Sequence, residues 1–219
     1  MKTLISHLSS LISIFSLFIL SLIFHSCIST HKISHENKSR IKKAVISSIT
    51  KGNAAKNMYY HGPSLIGAFT GVLQGPVTAE LSKGEGHAIS FIATKNGILI
   101  EEISKEALKT ELNKAGNIEV TDSEETVDAF INIEILQYGY SIPSSLHSTV
   151  VPILRLKVSM EGKSKELIWQ DSESLLTINN PVPPEKPEEL ITNPELIRKT
   201  WKLATDVLAK ELVANMYEN

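Results

Sequence analysis

The sequence has almost none of the residues that build disulfides or sulfur-based sites. Cys27 is the only cysteine among 219 residues, so the chain cannot close a disulfide within itself or supply a cysteine-rich metal site. The chain after Cys27 must therefore fold through packing alone, and it offers no cysteine nucleophile. We expect no metal site and no cofactor.

Neither sign of charge is in excess. The chain holds 22 lysines and arginines against 24 aspartates and glutamates, which gives a formal charge of −2 at pH 7. Removing residues 1–26, which include one lysine and no acid, would change this charge from −2 to −3. Nucleic-acid binding normally requires a basic patch or stripe. We therefore expect no nucleic-acid partner.

Motifs for catalysis are lacking as well. The sequence contains no GxSxG, no HExxH and no glycine-rich phosphate loop. His87, Ser90 and Asp122 could form a triad in principle, but no spacing pattern joins them. We predict a non-enzymatic protein, with a hydrolase as the least favoured alternative.

What the chain does contain is a long apolar run near its start. Residues 11–24 (LISIFSLFILSLIF) are apolar except for three serines, and Lys2 is the only charged side chain before Cys27. A positive start followed by an apolar centre is typical of a secretory signal peptide. The run is short for a membrane-spanning helix, which needs about 20 residues. We predict a signal peptide at residues 1–26. The alternative is an uncleaved N-terminal anchor.

The end of this run resembles the lipobox of bacterial lipoproteins. Residues 24–27 read Phe-His-Ser-Cys, where the family prefers leucine first and a small residue second. The resemblance implies that the Cys27 thiol carries diacylglycerol, that the leader is cut just before it, and that the new amino terminus is acylated, for example with palmitate. The alternative is a secreted protein with a free terminal thiol, which would invite unwanted disulfides in an oxidising compartment.

The lipobox also implies where the protein is located. Two or more acyl chains hold a protein stably on its membrane. Ile28 and Ser29 follow Cys27, and neither is the aspartate that often keeps lipoproteins at the inner membrane. We expect an outer-membrane protein, attached through its N-terminal acyl chains, whose folded part lies in the periplasm or on the cell surface.

The remaining chain divides into a polar tether and one folded domain. Residues 27–40 lack an apolar face and are predicted to be flexible, and residues 41–219 are predicted to form a single α+β domain. We expect an antiparallel or mixed sheet of about four to five strands with two amphipathic helices packed on one face. The predicted strands are residues 41–49, 118–121, 129–140, 153–160 and 166–172, and the predicted helices are residues 98–115 and 194–216.

Two segments of the domain have an unusual composition. Residues 64–75 are apolar, with Gly67, Gly71 and Gly75 at every fourth position. On a helix these glycines would form one face, so the segment could enter a lipid leaflet, pack against a second copy or fold against its own sheet. Residues 177–192 hold four prolines and are predicted to form an extended loop that wraps the surface or binds a partner.

Three aromatic residues near the predicted strand ends form a second candidate contact surface. They are Tyr138, Tyr140 and Trp169. Large aromatic rings are enriched where proteins bind one another. The alternative is that these rings cap the edge of the sheet.

The order of these elements resembles a group of bacterial envelope lipoproteins. An Asp-Ala pair precedes a strand at Asp128-Ala129, and a Gly-Lys turn at Gly162-Lys163 leads to Trp169. In this order the chain is similar to the curli-secretion lipoprotein CsgG and the N-terminal domain of TolB. The resemblance implies an α+β fold that binds or helps assemble another envelope component, or a second copy, without catalytic residues. The alternative is an accessory lipoprotein for lipid or lipopolysaccharide transport.

Overall fold

The computed structural model describes residues 30–65 and 76–218. Within these ranges it defines six α-helices, one short 3-10 helix and six strands. The helices are α1 His35–Arg40, α2 Pro76–Leu81, α3 Glu85–Lys95, α4 Ile100–Ala115, α5 Pro187–Thr192 and α6 Pro194–Tyr217. The strands are β1 Lys43–Lys51, β2 Tyr59–His61, β3 Glu119–Thr121, β4 Ala129–Ser141, β5 Val151–Gly162 and β6 Leu167–Leu175.

The strands form one mixed sheet in the order β3-β1-β4-β5-β6. β1 runs parallel to β3 and β4, whereas β5 is antiparallel to both β4 and β6. β2 pairs in parallel with β4 beyond the end of β1, so the two strands share one side of β4. The prediction of an α+β fold with a mixed sheet is confirmed. The described sheet has six strands, however, rather than the four to five predicted.

The additional strand is β2, which at three residues is too short to show a recognisable alternation in the sequence. It lies very close to β4 at Gly139, whose φ is +149°. A Cβ atom at this position would overlap the carbonyl oxygen of Tyr59. Glycine therefore permits the pairing of β2 with β4, because it tolerates this φ and leaves space for the neighbouring backbone.

The alternating sequence of β4 explains its position in the middle of the sheet. Ile131, Ile133 and Ile135 are buried and alternate with the half-buried Asn132 and Glu134. Apolar residues on β5 face these isoleucines in antiparallel register. A strand with one buried face produces this period of two. All five predicted strands are confirmed, with ends that differ from the predictions by at most three residues.

Helices α4 and α6 pack side by side on one face of the sheet. α4 lies over β1 and β3, and α6 lies over β5 and β6. α4 ends at Gly116, whose φ of 74° forms a left-handed C-cap, and α6 begins with Pro194 in its first turn. The prediction of two amphipathic helices on one face is confirmed. In the two described ranges, no helix combines the length and the apolarity that a bilayer crossing requires.

Residues 30–40 differ from the predicted flexible tether. The backbone of His31 pairs with Gln170 of β6, and Ile33 is only 5% exposed within the core. The Ser34 hydroxyl accepts a hydrogen bond from the amide of Asn37 and caps α1. The backbone pairing with Gln170 and the buried side chain of Ile33 therefore hold this segment on the domain, although its overall composition is polar.

The proline-rich segment 177–192 begins with a turn at residues 177–179 and is extended only in its middle part. Val182 is buried, and the backbone of Glu185 pairs with that of Val150. Pro187 then begins the six-residue helix α5, in the first turn, where proline is tolerated. The prediction of an extended loop is therefore wrong for residues 187–192.

Candidate functional site

The predicted lipid-attachment residue, Cys27, lies outside the described residues, as do Gly67, Gly71 and Gly75 of the predicted glycine-rich contact. The described chain nevertheless limits where Cys27 can lie. Thr30 follows Cys27 by three residues, and three peptide units span at most about 11 Å. Only a short stretch of chain therefore separates Cys27 from the first described residue.

Thr30 and His31 are fixed on the edge strand β6. The amide of His31 donates to the carbonyl oxygen of Gln170 at 2.8 Å, and the amide of Gln170 donates to the carbonyl oxygen of His31 at 2.9 Å. The Thr30 hydroxyl donates to Asp171 Oδ1 at 3.4 Å. These three contacts join the chain beside the predicted attachment residue directly to the sheet.

Two acidic side chains tie this edge of the sheet to helix α6. Asn215 donates to Asp171 Oδ2 at 3.1 Å and to Glu173 Oε1 at 2.7 Å. Burial raises the pKa of Glu173, and the nearby carboxylates of Asp171 and Glu211 raise it further. Asp171 also accepts a hydrogen bond from the amide of Ser172 at 2.8 Å. This bond satisfies an edge amide that another strand could otherwise use.

The tyrosines predicted as a contact surface are core residues instead. Tyr138 and Tyr140 are 3% and 0% exposed, and their ring centroids lie 5.6 and 6.4 Å from that of Trp201 on α6. The hydroxyl groups of Tyr140 and Thr200 share a hydrogen bond of 2.7 Å, and burial raises the pKa of Tyr140. Trp169 is buried as well. The prediction of an exposed aromatic patch is therefore wrong.

A β-bulge explains why the tyrosines face the core. The register between β4 and β5 shifts between Ile135 and Gln137, so Ile135 and Tyr138 are both buried against the helices although strict alternation would place them on opposite faces. Because β4 is an interior strand, neither Tyr138 nor Tyr140 caps an edge of the sheet.

Asp122 has a partner other than His87 and Ser90. His87 and Ser90 lie one turn apart on α3, whereas Asp122 accepts hydrogen bonds from Lys109 Nζ at 2.9 and 3.0 Å. These bonds lower the pKa of Asp122. Across residues 30–65 and 76–218, no three histidine, cysteine or acidic side chains are placed to share a metal ion.

A groove between α4 and α6 is a candidate contact site on the surface of the domain. Its volume is about 340 Å³, and Ile103, Ala107 and Thr110 of α4 contribute the uncharged part of its lining. The other lining residues are charged: Glu102, Glu106, Arg198, Lys202 and Asp206. The groove can therefore accept apolar groups between charged ones.

Comparisons with known proteins identify no family for this chain. No protein-family model matches it, and no curated protein does. Among solved structures, it is similar to a DUF330 protein from Xanthomonas campestris, with 10% identity, a TM-score of 0.43, and coverage of 84% of this chain and 90% of that one. The PelC dodecamer from Paraburkholderia phytofirmans gives 8% identity, a TM-score of 0.39, and coverage of 87% and 96%.

A third similar structure is the lipoprotein GNA1162 from Neisseria meningitidis, with 16% identity, a TM-score of 0.24, and coverage of 62% of this chain and 81% of that one. Lipoproteins are thus among the solved structures that this chain resembles. TM-scores below 0.5 assign neither a family nor a function, and the resemblance to CsgG and TolB stays a prediction.

Proposed function

We propose that this protein is a non-enzymatic, lipid-anchored protein of the bacterial envelope that binds or helps assemble another envelope component. The observation that carries the proposal is the position of Cys27, which ends the apolar leader and precedes by three residues the segment bonded to β6. Acylation at this residue would hold the folded domain directly at the membrane. Residues 28–29, which include no aspartate, support the outer membrane as its location.

The groove between α4 and α6 is the proposed site for the partner. Its uncharged floor and charged surroundings suit a helix or loop that presents apolar side chains flanked by charged ones. The sheet edges suit a partner strand less well. β3 is only three residues long, and on β6 the backbone of Gln170 is already bonded to His31. Proteins limit unwanted strand pairing in this way.

A second candidate function, the handling of lipid or lipopolysaccharide, is favoured by the same groove. Ile103 and Ala107 supply apolar surface, and a volume of about 340 Å³ falls at the lower end of the range for small-ligand sites. In that case the groove would bind part of a lipid, and the charged residues around it would contact the headgroup.

Two experiments test the proposal and separate the two functions. For the anchor, we expect the wild-type protein to remain in the membrane fraction after carbonate washing. Cys27→Ser should release it or leave the leader uncleaved. For the groove, a photo-crosslinking amino acid at Thr110 should form an adduct in intact cells, whereas the same group at the exposed Glu124 should not. A protein adduct supports the first function and a lipid adduct supports the second. Identical behaviour at the two positions would contradict both.

A further inference from the structure

We propose that one end of the sheet rests on the lipid surface to which Cys27 attaches the protein, an inference that rests on the proposed function. This apolar end consists of residues 142–150, between β4 and β5, and residues 176–184, which follow β6. Ser141 pairs with Val151, and Leu154 pairs with Leu175. The antiparallel register therefore places both segments at the same end of the sheet.

The apolar end is built from stretches of sequence without charge. Residues 135–154 form a run of 20 with no aspartate, glutamate, lysine or arginine. With 21% charged residues in the chain, close to the average for globular proteins, such a run would hold about four. Residues 174–184 form a second uncharged run. A third uncharged run, residues 57–65, includes β2, which pairs with the last residues of β4.

Large apolar side chains are exposed at this end. Leu146 is 95% exposed, Ile178 is 81% exposed and Leu176 is 51% exposed. The side-chain amide of Asn180 donates to the carbonyl oxygens of Pro152 and Leu176, at 2.7 and 2.8 Å, and so holds the second loop beside the start of β5. Exposed apolar residues that cluster in this way mark a contact surface.

Thr30, the first described residue, lies on the side of β6 that leads to the apolar end. His31 pairs with Gln170 in antiparallel register. Moving back along the chain from His31 to Thr30 therefore moves toward the carboxyl end of β6, and Thr30 accordingly contacts Asp171. The apolar end begins at that carboxyl end.

The distances allow the anchor and the apolar end to reach one membrane together. Asp171 and Leu176 are five residues apart, which is about 17 Å along a strand. The three peptide units from Thr30 back to Cys27 span up to about 11 Å. The difference between these two lengths is comparable with the thickness of one headgroup layer, which is about 5–8 Å. An acylated Cys27 thus brings Leu146 and Ile178 to the headgroups.

The composition of this end is compatible with contact with lipid. Protein interfaces are enriched in tyrosine, tryptophan and arginine at their centres, and residues 142–150 and 176–184 contain none of these. They combine leucine, isoleucine and valine with serine, threonine, asparagine, proline and one histidine, His147. Moving a charge out of water is far more costly than moving such side chains, so lipid contact accounts for the missing charges.

The single cysteine makes a direct test possible, because acylation would occupy its thiol. In the full-length acylated protein, a cysteine introduced by Leu146→Cys or Ile178→Cys can then be labelled alone with the polarity-sensitive dye NBD. Leu167→Cys is the matched control, since Leu167 is 42% exposed and begins β6 at the opposite end of the sheet. Each labelled protein is reconstituted in vesicles of phosphatidylethanolamine and phosphatidylglycerol, with and without nitroxide-labelled lipid, and circular dichroism checks its fold.

We expect the dye at residues 146 and 178 to shift to the blue and to be quenched severalfold more by nitroxide lipid than the dye at residue 167. Equal quenching at the three positions would overturn the inference. A blue shift without quenching would also overturn it, because protein rather than lipid would then cover this end. The mass of each sample distinguishes failure of this inference from failure of the proposed function. If the proposed function is wrong, Cys27 will carry no acyl group; if only this inference is wrong, the acyl group will be present.

Discussion

The two ends of the sheet differ in the way they use charge. At the apolar end, residues 142–150 and 176–184 contain no aspartate, glutamate, lysine or arginine and expose leucine and isoleucine, and the first charged residue beyond them is Glu185, which pairs with Val150. At the opposite, charged end, Arg40 pairs with Glu166 at 3.2 Å and Lys43 pairs with Glu119 at 3.6 Å. Asp128 lies at this end too, bonded to backbone amides. Charged side chains are therefore distributed unevenly between the two ends, although the overall charge is nearly neutral.

This contrast indicates that the two ends of the sheet contact different surroundings. Exposed ion pairs contribute only about 0–1 kcal/mol each to stability, so the charged end is explained by contact with water rather than by the stability of the fold. The exposed side chains of Leu146 and Ile178 do not stabilise the fold either, because little of their surface is buried. A surface outside the domain has to account for them, and the proposed anchor at Cys27 provides a membrane close by.

The largest expected effect concerns the aromatic cluster that holds the last part of β4 beneath α6. Trp201→Ala should destabilise the protein by about 3–5 kcal/mol, because it leaves a cavity beside Tyr138 and Tyr140. Leu203→Ala, on the same helix but 38% exposed, should cost less than about 0.5 kcal/mol. Urea unfolding measures both. Equal losses of unfolding free energy in the two variants would show that the aromatic cluster does not hold the last part of β4 in place.

At the charged end, Asp128→Ala should cost about 1 kcal/mol. Its carboxylate accepts hydrogen bonds from the amides of Lys42 and Lys43 at 2.9 and 3.0 Å, and these bonds lower its pKa. A lowered pKa contributes stability above the ordinary value of about 4, and this contribution is lost as the pH falls below it. The difference from wild type in chemical unfolding should therefore shrink between pH 7 and pH 3.

Asp128→Asn is the control for this prediction, because it removes the charge and keeps an oxygen acceptor. It should lose less stability than the alanine variant at pH 7, and its difference from wild type should also shrink in acid. A difference from wild type that is constant with pH in both variants would contradict the assigned role of the Asp128 carboxylate.

A smaller effect is expected between the two ends, where Glu173 lies beside Asp171. The raised pKa of Glu173 means that the folded state holds its proton more tightly, so stability falls as the pH rises through the interval between the ordinary and the raised value. Glu173→Gln should remove this fall and keep the hydrogen bond from Asn215. The gain in the free energy of unfolding at pH 7 should be at most about 0.5 kcal/mol, since water screens this partly exposed group.

Thermal unfolding against pH measures this gain, with Glu124→Gln in an exposed turn as the control. A stability gain for Glu173→Gln that is already present in acid, or an equal gain for the control, would contradict this explanation.

The smallest effect on stability is expected at the apolar end itself. Replacing both Leu146 and Ile178 with aspartate should change the free energy of unfolding by less than about 0.5 kcal/mol, because both side chains are exposed. Leu154→Asp, at a buried position on β5, should prevent stable folding. If the exposed pair cost as much as the core variant, these side chains would belong to the packed fold, and the comparison of the two ends would fail.

The parts of the fold that could be predicted are those in which burial imposes a regular period. Helix α4 and strands β4 and β5 each place one face against the core, so their apolar residues recur at the helical or alternating spacing. The site residues Tyr138 and Tyr140 were predicted wrongly, because a bulge after Ile135 changes which positions face the helices. A one-residue shift of this kind leaves no clear mark in the sequence.

Other features depend on contacts between distant parts of the chain. β2 forms because Gly139, 80 residues after Tyr59, lets the two backbones approach. The segment before β1 is held by Gln170 and Asp171 of β6. Uncharged runs are visible in the sequence, but only the sheet order shows that they meet at one end. Sequence periodicity therefore predicts the core, whereas the proposed membrane contact requires the topology.

Mass spectrometry of the mature amino terminus tests the central claim most directly, because both the anchor and the orientation depend on Cys27. We predict that the first peptide of the protein purified from membranes begins with Cys27 and carries the added mass of diacylglycerol and an amide-linked acyl chain. An amino-terminal peptide that retains residues 11–24, or that begins at an unmodified Cys27, would contradict the account.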